Sequence, residues 1–249
     1  MAIMIKTPQE IAKMRRSGEI LQKVLYAVRE AVAPGVSTMD LEKAAASKIA
    51  ELGAKPAFKG YHGYPACLCT SVNDEVIHGI PSAKKILAEG DVVSVDCGVV
   101  LDGFYSDSAV TIPVGKVAPG VRKLLDVTQQ SLEAGIQEAQ VGATIGDIGA
   151  TVQEAIEANG FGIVRDFVGH GIGRSMHEDP QIPNYGTRGK GPKLRVGMVL
   201  AIEPMVNIGS GDVKVLKDGW TAVTVDGKWS AHFEHTVAVT ESGPVVLTR

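Results

Sequence analysis

No apolar run of signal or membrane-spanning length opens this chain of 249 residues, because Met1 to Met4 passes at once into Lys6 and further charged positions. A cytoplasmic protein without membrane contact is therefore expected. Cysteine is scarce: Cys67, Cys69 and Cys97 cannot all pair with one another, and Cys67-Leu68-Cys69 is too close for a normal bridge. That usage suits a reducing compartment. Charge of one sign is also missing. A formal net charge of -3 and a pI near 6.1 exert no global pull toward nucleic acid or anionic lipid. Lys13, Arg15, Arg16 and Lys23 share the first helix with Glu10, Glu19 and Glu30, which reads as a solvated face. No linker rich in Pro, Gly or Ser divides the sequence, and no low-complexity tract appears.

What is present is a duplication. At a constant offset of 107 residues, the run Gly90 to Asp96 falls on Gly197 to Glu203. The same offset sets Gly35, Asp40, Leu41, Ile49 and Gly53 on Gly142, Asp147, Ile148, Ile156 and Gly160. Asp96 thus matches Glu203, each inside an apolar strand-like run, where a buried acid is costly unless something cationic neutralises it. With 45% hydrophobic and 21% charged residues, the chain reads as one catalytic domain spanning 1–249. It is made of two pseudo-symmetric halves, about 1–115 and 116–249.

Local signals place the elements. Thr7-Pro8-Gln9-Glu10 is a capping box with proline at the first helical position, so a helix starts near Pro8 and runs until Pro34-Gly35 stops it. Further helices are predicted from about Met39 to Leu52, Val121 to Ala139 and Ile145 to Ala158. Val92 to Leu101 and Phe104 to Ile112 flank Asp102-Gly103, a strong hairpin signal. That turn sets Gly98 opposite Asp107 and Ala109 opposite Asp96, so Asp96, Gly98 and Asp107 share one face, with the two acids diagonal. Gly98 is expected to leave the space open for an ion. In the second half, strands are predicted over Met198 to Met205, Val213 to Lys217, Thr221 to Val225 and Trp229 to Val239. Glu234 lies in the last of these.

Taken singly, a strand carboxylate is more often a salt-bridged or edge residue, and His170 between glycines is more often a turn residue. Gly169, Gly171 and Gly173 lack the spacing and context of a dinucleotide fingerprint. The set carries the argument. Asp96, Asp107, His170, Glu203 and Glu234 offer four carboxylates and one imidazole, a donor set suited to divalent Mn, Fe, Co or Zn. Two ions about 3.5–4 Å apart would use all of them.

The segments His62-Gly63-Tyr64-Pro65, Asn73 to Pro81, Asp96 with Asp107, Gly169 to Gly173, Met176-His177-Glu178, Ile202-Glu203-Pro204 and Phe233 to Thr236 resemble, over essentially the whole chain, the type I methionine aminopeptidases. The resemblance implies an α+β fold of the pita-bread type, similar to creatinase and prolidase. It further implies two divalent metal ions: Asp96 chelates one, Asp107 and Glu234 bridge both, and His170 and Glu203 complete the second. A bridging water or hydroxide would be the nucleophile, Glu203 a proton relay, and His177 and His78 the groups that polarise the carbonyl. A methionine pocket of Tyr61, Tyr64, Cys69, His78 and Trp220 is implied, with Phe58 and Met176 at its edge. His62, His232 and His235 have no matching role and are read as structural or supporting. Two positions depart from the family pattern, where 176 is often phenylalanine and 58 often small or cysteine; both bear on pocket shape rather than on metal chemistry. The sequence shows no zinc-finger extension, and the interval from Glu203 to Glu234 is too short for the type II insertion.

The activity so implied is removal of initiator methionine from nascent proteins and peptides whose second residue is small and uncharged. Nascent N-termini are then the partners, with the ribosome a further one, and the chain acts as a monomer without specific nucleic-acid binding. Met1-Ala2 itself fits the substrate pattern. Two rivals are weighed: a proline-directed peptidase of the same fold, whose members usually carry another N-terminal domain, and a pseudoenzyme that keeps the fold as a binding module for peptides, RNA or histones, whose signature would be loss of ligands, whereas all five are present here.

Overall fold

The structure, a computed structural model, describes residues 3–249, so Met1 and Ala2 lie outside the described residues. In chain order it begins with α1 (Pro8–Ala31), α2 (Thr38–Glu51), β1 (Lys55–Pro56), a 3-10 turn (Tyr61–Gly63), β2 (Leu68–Val72), β3 (Glu75–Ile77), β4 (Val92–Leu101) and β5 (Phe104–Pro113). Then come α3 (Pro119–Gln137), α4 (Ile145–Glu157), β6 (Gly162–Ile163), β7 (Gly169–Gly171), β8 (Glu178–Ile182), β9 (Val199–Ile202) and β10 (Met205–Asn207). The chain finishes with β11 (Val213–Val215), β12 (Ala222–Thr224), β13 (Ser230–His232), β14 (His235–Thr240) and β15 (Gly243–Val246). Among the described residues no helix is long and apolar enough to cross a membrane.

Helix α1 starts where the capping box predicts: Thr7 accepts from the Glu10 backbone N–H while the Glu10 carboxylate reaches back to the Thr7 N–H. Its buried stripe of Met14, Leu21, Val24 and Val28 keeps helical spacing. Gly18 lets the helix lie directly on the chain end, since a Cβ there would stand 2.0 Å from the Leu247 carbonyl oxygen. The 107-residue offset holds in three dimensions. Asp40 and Asp147 each accept from the backbone N–H and hydroxyl of the residue three before, Ser37 and Thr144. The isolated bridges Ser37 to Ile86 and Thr144 to Lys193 obey the same offset, as do the left-handed glycines Gly35 and Gly142, Gly53 and Gly160, and Gly90 and Gly197.

Each helix pair covers the back of a sheet. Val93, Val95, Cys97 and Val99 of β4 pack with Leu21, Val24, Leu41 and Ile49 of α1 and α2. Because strand side chains alternate, Asp96 and Gly98 must face the other way. The second core joins Leu124, Leu132, Ile136, Ile148 and Val152 of α3 and α4 to Leu200, Ile202, Val237 and Val239. β4 pairs with β1, β2 and β5, while β9 sits between β14 and β7 in a sheet ordered β15-β14-β9-β7-β8. β6-β10-β13 and β3-β12-β11 form two smaller sheets.

The strand expected over Met198 to Met205 is two strands, β9 and β10, in different sheets. Pro204 has no N–H for a ladder, so pairing stops there and the chain changes partner. The strand expected over Trp229 to Val239 is likewise split, at Phe233-Glu234: β13 pairs with β10 and β14 with β9. Glu234 therefore lies in a break between strands, and β15 follows it.

Candidate metal centre and substrate pocket

The first two acids come from one hairpin. β4 and β5 pair with Asp96 opposite Ala109 and Gly98 opposite Asp107, the register set by Asp102-Gly103. On the other side of β4, Cys69 of β2 stands opposite Asp96. The remaining donors come from strand centres and strand ends. His170 is the middle residue of β7, paired with Ala201 of β9. Glu203 follows the last residue of β9.

Glu234 is carried to the hairpin by cross-connections between β5 and the chain around the break. Its backbone N–H donates to the Ala109 carbonyl at 2.9 Å, and the Ala109 N–H donates back to the Glu234 carbonyl at 3.4 Å. On one side the Thr236 hydroxyl accepts from the Asp107 N–H at 3.0 Å and donates to the Asp107 carbonyl at 2.8 Å. On the other the Thr111 hydroxyl accepts from the His232 N–H and donates to the His232 carbonyl, each at 2.8 Å. Two threonine side chains thus continue a ladder that the break would have ended.

The donor atoms of Asp107, His170 and Glu234 all lie within 4.8 Å of one another. His170 Nε2 is 3.9 Å from Asp107 Oδ2 and 3.7 Å from Glu203 Oε1. Its Nδ1 lies 2.9 Å from the Gly171 carbonyl, which as acceptor requires the proton on Nδ1 and leaves a lone pair on Nε2 toward the acids. Asp96 Oδ1, Asp107 Oδ1 and Glu234 Oε1 are buried without any hydrogen-bond partner. Burial pushes the Asp96 carboxyl up to about 7 and that of Glu203 to about 8. Asp107 and Glu234 are raised well above the usual range by burial and then by neighbouring carboxylates. Burial also holds His170 down to about 3. Partnerless oxygens, mutually repelling acids and a neutral imidazole are the environment that a divalent cation would neutralise, and the residues fit one.

These donors line a cavity of about 470 Å³ together with an apolar end of Phe58, Tyr61, Tyr64, Cys69, Met176 and Trp220, and with His62, His78 and His177. Every site residue anticipated from sequence lines it. A larger cavity of about 770 Å³, between α1 and the segment Ser108 to Val110, contains none of the five donors. Chemistry rather than size selects the site.

The apolar end is held rigidly. Tyr64 donates from its hydroxyl to the Leu68 and Gly79 carbonyls, and its ring meets Trp220 edge-on at 5.1 Å. Phe58 and Met176, expected at the pocket edge, are 8% and 3% exposed and pack in the same cluster as Tyr64 and Cys69. They occupy the room left by Gly98, where a Cβ would stand 2.8 Å from Phe58 Cε1 and 3.3 Å from Met176 Cε. Gly98 therefore makes space for the pocket wall, not for an ion as the hairpin geometry alone suggested.

Two histidines stand between the ends. His177 Nδ1 is 2.7 Å from the Tyr61 hydroxyl, and its ring centroid is 4.2 Å from that of His170. His78 holds a left-handed backbone with φ 59° and presents its ring edge-on to Phe167 and Trp220. Burial lowers both, His78 to about 4, so each is neutral at pH 7. His62, expected to be structural or supporting, lines the cavity with its ring against Tyr61, and its place in the Tyr61 to Tyr64 segment is the clue the sequence offers. His232 Nε2 lies 3.5 Å from Glu203 Oε2, whereas His235 turns away to Thr248. No local signal pointed to Phe167, which reaches His78 only through tertiary packing.

Two helix-backed strand units facing one another across a carboxylate-rich cavity define the pita-bread fold. A prolidase structure from Pyrococcus horikoshii, 24% identical and covering 98% of this chain and 63% of its own, superposes with a TM-score of 0.80 and shares that fold. The chain belongs to metallopeptidase family M24, whose pattern matches residues 12–241. A methionine aminopeptidase of Clostridium perfringens is 53% identical over 99% of this chain and 98% of its own length. The structure of a methionine aminopeptidase from Thermotoga maritima is 50% identical, covers 100% of both chains and has a TM-score of 0.98.

Proposed function

We propose that this M24 hydrolase is a methionyl aminopeptidase that removes the initiator methionine from nascent proteins and peptides whose second residue is small and uncharged. The observation that carries this reading is one cavity in which five metal-type donors meet apolar walls. A thioether suits a slot walled by Phe58, Tyr64, Cys69, Met176 and Trp220. The catalytic domain comprises two halves, about 1–115 and 116–249, each contributing ligands.

Asp96, Asp107, His170, Glu203 and Glu234 would hold two divalent ions between them, and Co, Mn, Fe and Zn all suit these donors. When bound, such ions supply Lewis acidity and lower the pKa of water. The protein's own groups do the rest. Glu203, whose backbone carbonyl is held by Asn184 Nδ2 at 3.0 Å, takes a proton from the attacking water and passes it toward the leaving amine. The Tyr61 hydroxyl 2.7 Å from His177 Nδ1 can serve as its donor, and in that tautomer the His177 proton sits on Nε2 for the developing oxyanion. His78 supports the carbonyl from the Trp220 side. A bulky second residue would press on this wall and lift the carbonyl away from attack, and misplacement of ~1 Å reduces rate about 10²-fold. Nascent chains, met at the ribosome in the cytoplasm, are the substrates; three buried free thiols agree with that compartment.

Metal-free protein supplied with single divalent ions, then with Met-Ala-Ser, Met-Lys-Ser and Xaa-Pro peptides, tests the reading. Rapid release of methionine from Met-Ala-Ser alone is expected, with two ions per chain at saturation. Comparable kcat/KM for Met-Lys-Ser, or preference for Xaa-Pro, would contradict it.

A further inference from the structure

Lys6 is buried outside the cavity, with a side chain 5% exposed, and its Nζ lies 2.5 Å from Glu178 Oε2, itself on a side chain 8% exposed. The same ammonium reaches the Met4 carbonyl at 3.2 Å, and the Lys6 backbone N–H is anchored to the Gly197 carbonyl at 2.7 Å. Glu178 turns its other oxygen to the loop before it, where Oε1 accepts the N–H groups of Arg174 at 2.8 Å and Ser175 at 3.2 Å. Gly173 is bare because Lys6 passes over it, a Cβ there standing 2.3 Å from Lys6 Cε. One carboxylate thus closes the turn from 174 to 178, and one lysine neutralises that carboxylate. Inside this turn sit Met176, packed into the pocket wall, and His177.

We infer that Lys6 and Glu178 are a positioning pair that fixes the Arg174 to Glu178 turn, so that the N-terminal arm sets the placement of His177 without entering the cavity. This rests on the role given to His177 above. The pair is far from an ordinary surface bridge, because removing one partner leaves the other charge buried and uncompensated. The exposed contact of Arg174 with Glu10 at 2.7 Å fastens the same turn to α1 but contributes little. Without Lys6, the turn has to open to hydrate Glu178, and opening moves His177 off Tyr61. A shift of that kind reduces turnover by roughly tenfold or more.

The test compares Lys6→Met in two backgrounds, wild type and His177→Ala, with metal content, kcat and KM measured for Met-Ala-Ser. Lys6→Met is expected to lower kcat at least about tenfold at unchanged metal content in the first background, and less than about twofold in the second. Adding Glu178→Gln to Lys6→Met should return most of the activity, since an amide oxygen still accepts both N–H groups and no charge is left buried. Carbon-13 histidine spectra of the metal-free protein should show the His177 ring moving in Lys6→Met and returning in the double variant. If Lys6→Met does not accumulate, Glu178→Asp replaces it: the shorter carboxylate withdraws from the Arg174 and Ser175 N–H groups and should give the same dependence on His177. An equal fold loss in both backgrounds, or unchanged kcat with only a lowered Tm, would overturn the pair as a positioning device. Full turnover in His177→Ala by itself would overturn the His177 role and remove the pair's purpose; when only the pair fails, His177→Ala remains impaired.

Discussion

The two halves repeat one design and execute it differently. The first supplies Asp96 and Asp107 from an unbroken hairpin of two ten-residue strands. The second supplies His170 from a three-residue strand, Glu203 from beyond a strand end and Glu234 from a gap between two strands. A hairpin sets a carboxylate pair on one face through its own turn and register. A broken strand places its carboxylate only through what it meets across the interface, here β5 with its threonine connections. One half is a rigid template, and the other is fitted to it.

If the hairpin is the template, damage to it should have the largest effect. Asp107→Asn keeps the shape of the side chain and removes its charge. Loss of at least one ion per chain and a fall in activity to below about a thousandth of wild type are expected, with folding retained. Full metal occupancy with normal turnover would make Asp107 a bystander. Next comes the connection between halves. Thr236→Val deletes both bonds to the Asp107 backbone and leaves a buried N–H unpaired, which should cost about 2 kcal/mol of stability and roughly 10- to 100-fold in metal affinity. Thr236→Ser should recover most of both. If the valine variant binds metal normally, Glu234 is held by something other than this lacing.

The smallest effect expected is a pH dependence in metal-free protein. The folded carboxyls of Asp96 and Glu203 sit at about 7 and 8, against about 4 when unfolded. The folded state therefore binds the extra protons in that interval, and stability falls as pH rises through it. His78, His170 and His235 act in the opposite sense, since burial holds them at about 4, 3 and 4. Below the ordinary histidine value of about 6.5 the unfolded chain takes up protons that the folded one refuses, so stability rises with pH there. Above about 6.5 only the carboxyl effect remains. Melting temperature without metal should thus decline between pH 6.5 and 8, and adding a divalent cation at pH 8 should reverse the decline. An unchanged slope after addition would separate the acid cluster from metal binding.

Much was written locally in the sequence. Thr7-Pro8 and Glu10 start a helix, Asp102-Gly103 closes a hairpin, and period-two alternation turns Asp96 and Asp107 to the same side; each rests on contacts a few residues apart. The duplication, likewise visible in sequence, makes Glu203 the counterpart of Asp96. What the tertiary structure alone decided was every choice between competing partners. Pro204 signals that a ladder ends, but not that the chain pairs with β14 before it and with β13 after it. Gly98 signals room, but whether an ion or Phe58 fills it depends on chain about forty residues away in sequence. Phe167 at His78, His62 in the cavity and Lys6 on Glu178 are likewise settled by burial of side chains from distant segments. Turn chemistry and periodicity encode short-range geometry, whereas pairing across sheets is fixed by which apolar faces can be covered together and which buried charges can be neutralised.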